Sequence, residues 1–156
     1  MKDAKLLYEW KNDKETIENS ITKRGVTMEE HLNWLQGVIH NSNRQLYILD
    51  VDGVSVGQLR LDLEVMPATE VNGTKDATKK TEITAEISYG LGAEHRGKGL
   101  GKVLLEQAET LADLFCIGEL TAEVLPHNVA SQSLFKKLGY VEEKKEELYI
   151  YKKKFQ

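Results

Sequence analysis

Two stretches near the N-terminus repeat apolar residues at helical spacing. In "DAKLLYEWKND" the apolar side chains between Ala4 and Trp10 share one face, and the polar "KND" ends the pattern. In "VTMEEHLNWLQGVIHN" the apolar residues again form one stripe, which follows a capping box made by Thr27 and Glu30. The sequence therefore predicts two N-terminal helices.

The next part of the chain changes to β-type patterns separated by turn residues. "QLYILDVDGVSVGQLRLDLE" holds two runs of β-forming residues around Asp52 and Gly53, a pair typical of a tight hairpin turn. Residues 64–80 are polar and contain Pro67 and a second turn pair, Asn72 and Gly73, so we expect an exposed hairpin excursion there. "TEITAEISYGLG" then predicts a third long strand.

The C-terminal half alternates helical and β-type patterns. "GLGKVLLEQAETLADLFC" predicts a helix, "ELTAEVL" a strand, and "NVASQSLFKKLG" a helix that Asn128 caps and Gly139 ends. "YVEEKKEELYIYKKKF" predicts two terminal strands. The order α-α-β-β-β-α-β-α-β-β predicts a mixed α/β (α+β) fold, with one layer of sheet and helices on both faces.

Composition narrows the class of protein further. A chain of 156 residues with 40% hydrophobic residues is expected to form one domain over residues 1–156. Its net charge of -4 is mild, and no apolar run approaches the roughly 18 residues of a membrane span. We therefore expect a cytoplasmic protein without a nucleic-acid or membrane partner. The lone Cys116 excludes an internal disulfide, and its apolar surroundings predict a packing role.

The stretch "EHRGKGLGKVLL" is the clearest candidate binding site. A glycine turn that opens a helix presents free N–H groups and the positive end of the helix dipole to an anion. A Walker A loop would need a glycine in place of Arg96 and a hydroxyl residue in place of Val103. A Rossmann fingerprint would need a third glycine and several βα units, and the sequence predicts only one.

The motif that remains is Arg96-x-x-Gly99-x-Gly101, and it resembles motif A of the GNAT superfamily of acyl-CoA-dependent N-acetyltransferases. The second signature of that family also has a counterpart, in the expected order and about thirty residues later. Its positions here are Asn128, Ser131, Phe135, Gly139 and Tyr140. The resemblance covers the chain from Ala4 onward. It departs from the family at the N-terminus, where the usual first edge strand has no room before "DAKLL", so we expect that strand to be missing.

The resemblance implies acetyl-CoA as co-substrate and no metal. The glycine turn would hold the coenzyme A pyrophosphate, and the strand end before it would pair with the pantetheine arm and polarise the acetyl carbonyl. The coenzyme-binding residues implied are Leu91, Gly92, Arg96, Gly97, Lys98, Gly99, Leu100, Gly101, Lys102, Asn128, Ser131 and Phe135.

Catalytic roles follow less directly from the same resemblance. Glu86 corresponds to a strand position from which some members project a base, and Ser88 shares its face of the strand. Glu86 and Ser88 are equally well explained as solvated residues of the strand, without a catalytic role. Asn128 would touch the reacting centre or simply cap its helix. Phe135 lacks the hydroxyl with which many members protonate the leaving thiolate, so Tyr140, or alternatively Tyr89, would take that role.

The acceptor side resembles a narrower group, the UDP-4-amino-sugar N-acetyltransferases of the pseudaminic acid synthesis type. The shared elements are Trp10, Asn12, Asp13, Ser20, Glu30, His31 and Trp34. The resemblance implies substrate contacts for Trp10, Asn12, Asp13, His31 and Trp34. Two tryptophans on amphipathic helices are more often core residues, and the placement of His31 favours the surface.

Three hypotheses about function stay open at this point. The chain acetylates a nucleotide-linked amino sugar or a similar small amine, it modifies a protein N-terminus or lysine in the manner of ribosomal-protein acetyltransferases, or it binds acyl-CoA without turnover. The expected partner is a small-molecule amine, and a homodimer is left open.

Overall fold

The computed structural model describes residues 1–66, 70–71, 74–75 and 82–155. These residues form helices on both faces of a twisted sheet. The helices are α1 (Ala4–Lys11), α2 (Lys14–Glu18), α3 (Met28–Ile39), α4 (Leu100–Leu114) and α5 (Val129–Lys137). The strands are β1 (Arg44–Val51), β2 (Val54–Met66), β3 (Glu70–Val71), β4 (Thr74–Lys75), β5 (Glu82–Leu91), β6 (Glu119–Val124), β7 (Val141–Lys144) and β8 (Tyr149–Lys154).

Six strands form the main sheet in the order β1-β2-β5-β6-β8-β7. Every neighbouring pair is antiparallel except β5 and β6, which run parallel because α4 crosses between them. This confirms the predicted mixed α/β fold with a mostly antiparallel sheet and one βαβ unit. Within the described residues, no strand precedes α1.

The hairpin between β1 and β2 turns at the two residues that the sequence indicated. Asp52 and Gly53 have φ angles of +50° and +79°, as expected of the mirror-image turn that matches the twist of the two strands. The short strands β3 and β4 also pair antiparallel, with Glu70 opposite Lys75. Pro67 and the predicted turn pair Asn72 and Gly73 lie outside the described residues.

Two apolar clusters hold the helices against the sheet. The larger one joins α4 and α5 to the central strands and includes fully buried Leu61, Leu105 and Tyr151. The smaller one joins α1 and α3 to β1 through Leu7, Leu35 and partly buried neighbours. Helices therefore cover both faces of the sheet, and α1 to α3 lie over its β1 end.

Two local features differ from the sequence prediction. The segment after α1 contains an extra helix, α2, whose N-cap Asp13 accepts a hydrogen bond from the backbone of Thr16. Asp13 and the acidic Glu15 in the first turn were its signal, but a helix of five residues is too short to show a period. Cys116 is exposed, with a φ of +55° just after α4, so the predicted packing role is wrong. None of the helices described here has the length and apolar character needed to cross a membrane.

Candidate active site

The two parallel strands at the centre of the sheet separate halfway along their length. β5 and β6 pair only between residues Thr84–Glu86 and residues Glu119–Thr121, although β5 continues to Leu91 and β6 to Val124. The wedge between the separated ends opens into a cavity of about 770 Å³. This cavity extends from the start of α4 to the region between α1, α3 and Glu86.

The glycine turn forms one end of that cavity. Gly97 and Gly99 have φ angles of +73° and +77°, and Gly99 is the N-cap of α4. A Cβ atom added at either glycine would meet no heavy atom within 4 Å, so open space lies over the turn. The turn thus presents the unpaired N–H groups of a helix start to an empty volume, the arrangement that suits a phosphate group.

Arg96 does not point into the space over the turn. Its guanidinium lies 2.6 Å from the Asp13 carboxylate and 3.0 Å from that of Glu15, and it also donates to the Leu91 carbonyl. Burial raises the pKa of Asp13, but hydrogen bonds from Arg96 and Thr16 outweigh it and hold that pKa below its usual value. Arg96 was expected to supply positive charge to the phosphate, and Asp13 to contact the acceptor. In the structure these two side chains form an ion pair with each other instead.

The other basic residues of the turn are exposed. Lys102 lines the cavity and forms a 3.5 Å ion pair with Glu106 one helical turn later, with 60% of its side chain accessible. Lys98 is exposed as well. Both ammonium groups can therefore turn toward an anion at the start of α4 at little cost, because exposed pairs of this kind contribute at most about 1 kcal/mol.

The end of β5 approaches α1 closely. A Cβ atom on Gly92 would lie 2.7 Å from the indole Nε1 of Trp10, so glycine is required for the two to pack. The N–H of Gly92 donates to the Val56 carbonyl of the neighbouring strand. The N–H and C=O groups of successive residues in a strand point to opposite neighbours. Since those of Gly92 point toward β2, those of Leu91 point toward the open wedge. Trp10 packs against this strand end and does not line the cavity.

The α5 side of the wedge carries a pair of hydroxyls. The Tyr89 hydroxyl on β5 lies 2.8 Å from the Ser131 hydroxyl on α5. Burial raises the pKa of Tyr89, and the hydrogen bond with Ser131 acts in the opposite direction. Asn128 caps α5 by accepting from the Ser131 N–H, and Phe135 is 1% exposed and stacks on Tyr151. Sequence patterns gave Tyr89 only as an alternative acid, because pairing with Ser131 requires the fold.

Tyr140, the tyrosine that we expected to act as acid, lies away from the wedge. It packs edge-on against Phe135, and Lys153 lies 5.5 Å from the centre of its ring. Burial, followed by the nearby Glu109 carboxylate, raises its pKa. Its hydroxyl is buried without a hydrogen-bond partner among the described residues. Tyr140 therefore belongs to the core beneath α5, and its predicted catalytic role has no geometric support.

Glu86 and Ser88 stand on the cavity floor, on the same side of β5. Burial raises the pKa of Glu86, the carboxylates of Glu123 and Asp62 raise it further, and Arg60 partly offsets them. The opposite side of β5 is buried in the main core through Ala85 and Ile87. A carboxylate whose pKa is raised in this way is a suitable proton acceptor.

The acceptor-side residues predicted from the sequence separate into two groups. His31 and Trp34 line the cavity, with their rings stacked 5.8 Å apart. His31 is 1% exposed and its Nε2–H donates to the Ala4 carbonyl, so the predicted surface placement is wrong. Asn12 lies elsewhere, because its side chain joins the Tyr8 carbonyl to the Val26 N–H.

Two cationic residues of this region were missed by sequence reasoning. Lys11 and Arg60 both line the cavity and lie over the Trp34 ring, at 4.7 and 5.7 Å from its centre. The alternation of Gln58, Arg60 and Asp62 along β2 was a usable signal, because it puts all three on the side that carries Glu86. Lys11 gave no signal, since it is one of two lysines on an amphipathic helix.

Helix α2 crosses the mouth of the wedge and is held at both of its ends. Asp13 at its start pairs with Arg96 of the glycine turn, and the Glu18 carbonyl at its end accepts a 2.9 Å hydrogen bond from His127, next to the cap of α5. The residues described contain no group of three or more His, Cys, Asp or Glu side chains placed to hold a metal ion.

A comparison with protein-family models matches residues 5–140 to the acetyltransferase (GNAT) family. The chain belongs to that family. Members transfer an acetyl group from acetyl-CoA, so membership indicates an acetyl-CoA-dependent N-acetyltransferase.

Known proteins similar to this chain differ in their acceptors. The Bacillus subtilis (strain 168) protein named "Putative phosphinothricin acetyltransferase YwnH" is 32% identical over 117 residues, which cover 75% of this chain and 64% of that relative's length. A ribosomal-protein-alanine N-acetyltransferase from Brucella melitensis has a TM-score of 0.70 at 20% identity, over 99% of this chain and 95% of that one. A "putative acetyltransferase" from Salmonella typhimurium with its cofactor acetyl-CoA has a TM-score of 0.72 at 19% identity, over 99% and 90%. The two structural likenesses show the fold and leave the acceptor open.

Proposed function

We propose that this protein transfers the acetyl group of acetyl-CoA to the primary amine of a small molecule, by direct attack within a ternary complex. The observation that carries the proposal is a continuous cavity that leads from the glycine turn of α4, through the wedge between β5 and β6, to the carboxylate of Glu86. The donor and the acceptor can meet there without a covalent enzyme intermediate.

In this proposal, backbone N–H groups contribute more to coenzyme binding than charged side chains do. N–H groups at residues 97–102 receive the pyrophosphate, while Lys98 and Lys102 supply mobile positive charge. A helix end contributes roughly 0.3 to 1 kcal/mol per nearby anion, so several donors have to act together. The N–H of Leu91, on the open edge, receives the pantetheine arm. The Leu91 carbonyl already accepts from Arg96, which holds the turn in place instead of contacting phosphate.

Glu86 is the proposed base. An ammonium acceptor must lose a proton before its nitrogen can attack, and for a lysine-like amine near pKa 10.4 this costs ~4 kcal/mol at neutral pH, against about 1 for an amine near pKa 8. Glu86 accepts that proton, directly or through one water that Ser88 helps to orient. The nitrogen then forms a bond to the acetyl carbon as the C–S bond breaks, and the second proton that the nitrogen loses replaces the one that the acid gives to the thiolate.

Tyr89 is the proposed acid for the departing thiolate. Its raised pKa keeps the phenol protonated at neutral pH, and Ser131 positions its hydroxyl 2.8 Å away at the α5 wall of the wedge. A thiol of pKa about 8.5 leaves as thiolate at a cost of only ~2 kcal/mol at pH 7, so the acid is helpful without being indispensable.

A nucleotide-linked amino sugar is one acceptor within this class. Trp34 supports it, since an aromatic ring on the cavity wall suits a sugar or nucleobase face. Trp10, Asn12 and Asp13 give it no support, because each is engaged in internal packing or hydrogen bonding.

The direct test measures thiol release from acetyl-CoA with small amines, UDP-amino sugars and peptides as acceptors, alongside calorimetric binding of acetyl-CoA. We expect turnover with at least one small amine. Turnover confined to peptides would move the protein to the N-terminal acetyltransferase class. Tight coenzyme binding with no acceptor turned over would make it a binding module.

A further inference from the structure

We propose that the acceptor carries an acidic group as well as its amine, with the anion held by Lys11 beside Trp34 and the amine directed toward Glu86. The acidic group is a carboxylate, a phosphonate-type anion or a phosphate. The inference rests on the proposed function and deepens it, because it names the class of amine.

Lys11 is a partly buried cation on the cavity wall, and the residues that the structure describes supply no carboxylate partner for it. Its ammonium lies 4.7 Å from the centre of the Trp34 ring, on the cavity wall, and makes no ion pair with any residue that the structure describes. Burial lowers the pKa of Lys11, and the nearby Arg60 and Arg24 lower it further. A half-buried charge that is repelled by two others is costly unless an anion joins it, so this end of the cavity is poised for one.

The two arginines strengthen the positive character of the same end. Arg60 lies 5.7 Å from the Trp34 ring centre and is partly neutralised by a 3.0 Å pair with Asp62. Arg24 lines the cavity rim and pairs loosely with Glu30 at 3.4 Å, with 64% of its side chain accessible. Each arginine has a carboxylate partner and Lys11 has none among the described residues, so Lys11 is the primary anion contact.

Within the same part of the cavity, the wall that carries Glu86 has the opposite sign. Glu86 and Glu123 both line it, and Glu123 and Asp62 raise the pKa of Glu86 because the carboxylates are close enough to repel one another. A positively charged amine relieves that repulsion when it binds. The acceptor part of the cavity is therefore dipolar, with a cationic side at Trp34 and an acidic side at Glu86 and Glu123.

The spacing between the two ends favours a compact acceptor. Arg60 faces Ser88 across the β2–β5 ladder, so Arg60 and Glu86 are diagonal neighbours on one face of the sheet, with backbone positions about 7–8 Å apart by the usual geometry of antiparallel strands. Lys11 lies over the same Trp34 ring as Arg60, so the cationic group is close to Glu86 and an acceptor with its amine and acid one or two carbons apart suits the site. A peptide N-terminus has a neutral amide in place of the acid, so it satisfies only the acidic end.

The test compares acceptors that differ only in the anion. An α-amino acid and its amide are matched in size, and the amide is the weaker base, so it is the more readily deprotonated of the two. We expect kcat/KM for the acid to exceed that for the amide by about tenfold or more, against the order of intrinsic reactivity. An aminoalkylphosphonate and a UDP-amino sugar form two further arms that identify which anion is preferred.

Substitution of Lys11 tests whether this residue causes the preference for the acid over the amide. Lys11→Met should raise KM for the acid by about tenfold with little change in kcat, and should leave the amide unaffected. Lys11→Arg should restore most of the loss. Lys5→Met is the matched control, because Lys5 is on the same helix, 83% accessible and outside the cavity.

Equal kcat/KM values for acid and amide would overturn the proposal, as would a Lys11→Met variant that slows both acceptors alike. If the wild-type protein binds acetyl-CoA but turns over no amine, the proposed function fails while the anion site is still decided by calorimetry. In that case, binding of the amino acid to the coenzyme-loaded protein that Lys11→Met abolishes supports the site, and equal binding of acid and amide refutes it.

Discussion

The guanidinium of Arg96 lies 2.6 Å from the carboxylate of Asp13, which is 83 residues earlier in the chain. Both side chains are about three-quarters buried, and Glu15 and the Leu91 carbonyl complete the set of Arg96 partners. The first residue of the glycine motif is thus neutralised inside the protein. It fixes the position of the turn relative to α2 and the end of β5.

We expect Arg96 and Asp13 to show energetic coupling. In a double-mutant cycle with Arg96→Met and Asp13→Asn, which keeps the helix cap, the coupling free energy should be about 1 kcal/mol, measured by urea unfolding. Arg96→Met should weaken acetyl-CoA binding only a few-fold. Lys98→Met serves as control for a cation of the same turn. A hundredfold loss of coenzyme affinity in Arg96→Met with unchanged stability would place the guanidinium on the phosphate instead.

Gly99 and Gly101 should respond differently to alanine. Gly99→Ala forces a side chain into the left-handed region, at roughly 1–2 kcal/mol of stability, and places a methyl group in the open space over the turn. Coenzyme affinity should fall by more than tenfold. Gly101→Ala puts its Cβ 3.2 Å from Leu134 Cδ2, a flexible side-chain end, and gains about 1 kcal/mol of helix propensity. Its stability should therefore stay near the wild-type value.

Calorimetric titration with coenzyme A measures the affinity difference between these two glycine variants. Equal affinities would remove the turn from the coenzyme site.

Glu86→Gln should lower activity and raise stability, because the negative charge of Glu86 serves catalysis but destabilises the folded protein. Because the pKa of Glu86 is raised in the folded state, the group is protonated in both states below the unfolded value of about 4.3 and gives no penalty there. As pH rises through the raised folded pKa, the ionised carboxylate destabilises the protein. The substitution should therefore raise Tm at pH 7 and leave it unchanged below about pH 4.

The same substitution should reduce kcat/KM on the order of 10²-fold and remove the acidic limb of the pH profile, as loss of a general base does. A Tm gain without any change in the pH profile would leave Glu86 as a strained carboxylate and exclude it as the base.

Tyr89→Phe and Tyr140→Phe form a matched pair that separates acid catalysis from packing. Tyr89→Phe should lower kcat about tenfold at pH 7, and the deficit should shrink above pH ~8.5, where the thiolate leaves without a proton. Tyr140→Phe removes a hydroxyl without a partner among the described residues, so kcat should hold and stability should change by less than about 1 kcal/mol. A larger kcat loss in Tyr140→Phe than in Tyr89→Phe would reverse the assignment.

Local sequence signals predicted the elements that local physics determines. The capping box of Thr27 and Glu30 forms both of its hydrogen bonds, Asn128 caps α5, and Gly139 follows α5 with a φ of +84°. Such features depend on a few neighbouring residues and their backbone preferences, so a single sequence is enough to locate them.

Sequence patterns did not predict contacts between residues that are far apart in the chain. His31 has a surface-like sequence context, yet α1 packs on it and the Ala4 carbonyl accepts its Nε2–H, which makes burial possible. The choice between Tyr89 and Tyr140 likewise depended on which hydroxyl faces the wedge. Position along a helix or strand says little about this until the neighbouring elements are in place.

The two attachments of α2 give the protein a thermodynamic constraint. Because Asp13 joins this helix to the coenzyme turn and the Glu18 carbonyl joins it to His127, any ordering of the turn by coenzyme also orders the segment beside the acceptor cavity. Linkage requires that such an effect be reciprocal. If bound coenzyme changes the affinity for the acceptor by a given factor, bound acceptor must change the affinity for the coenzyme by the same factor.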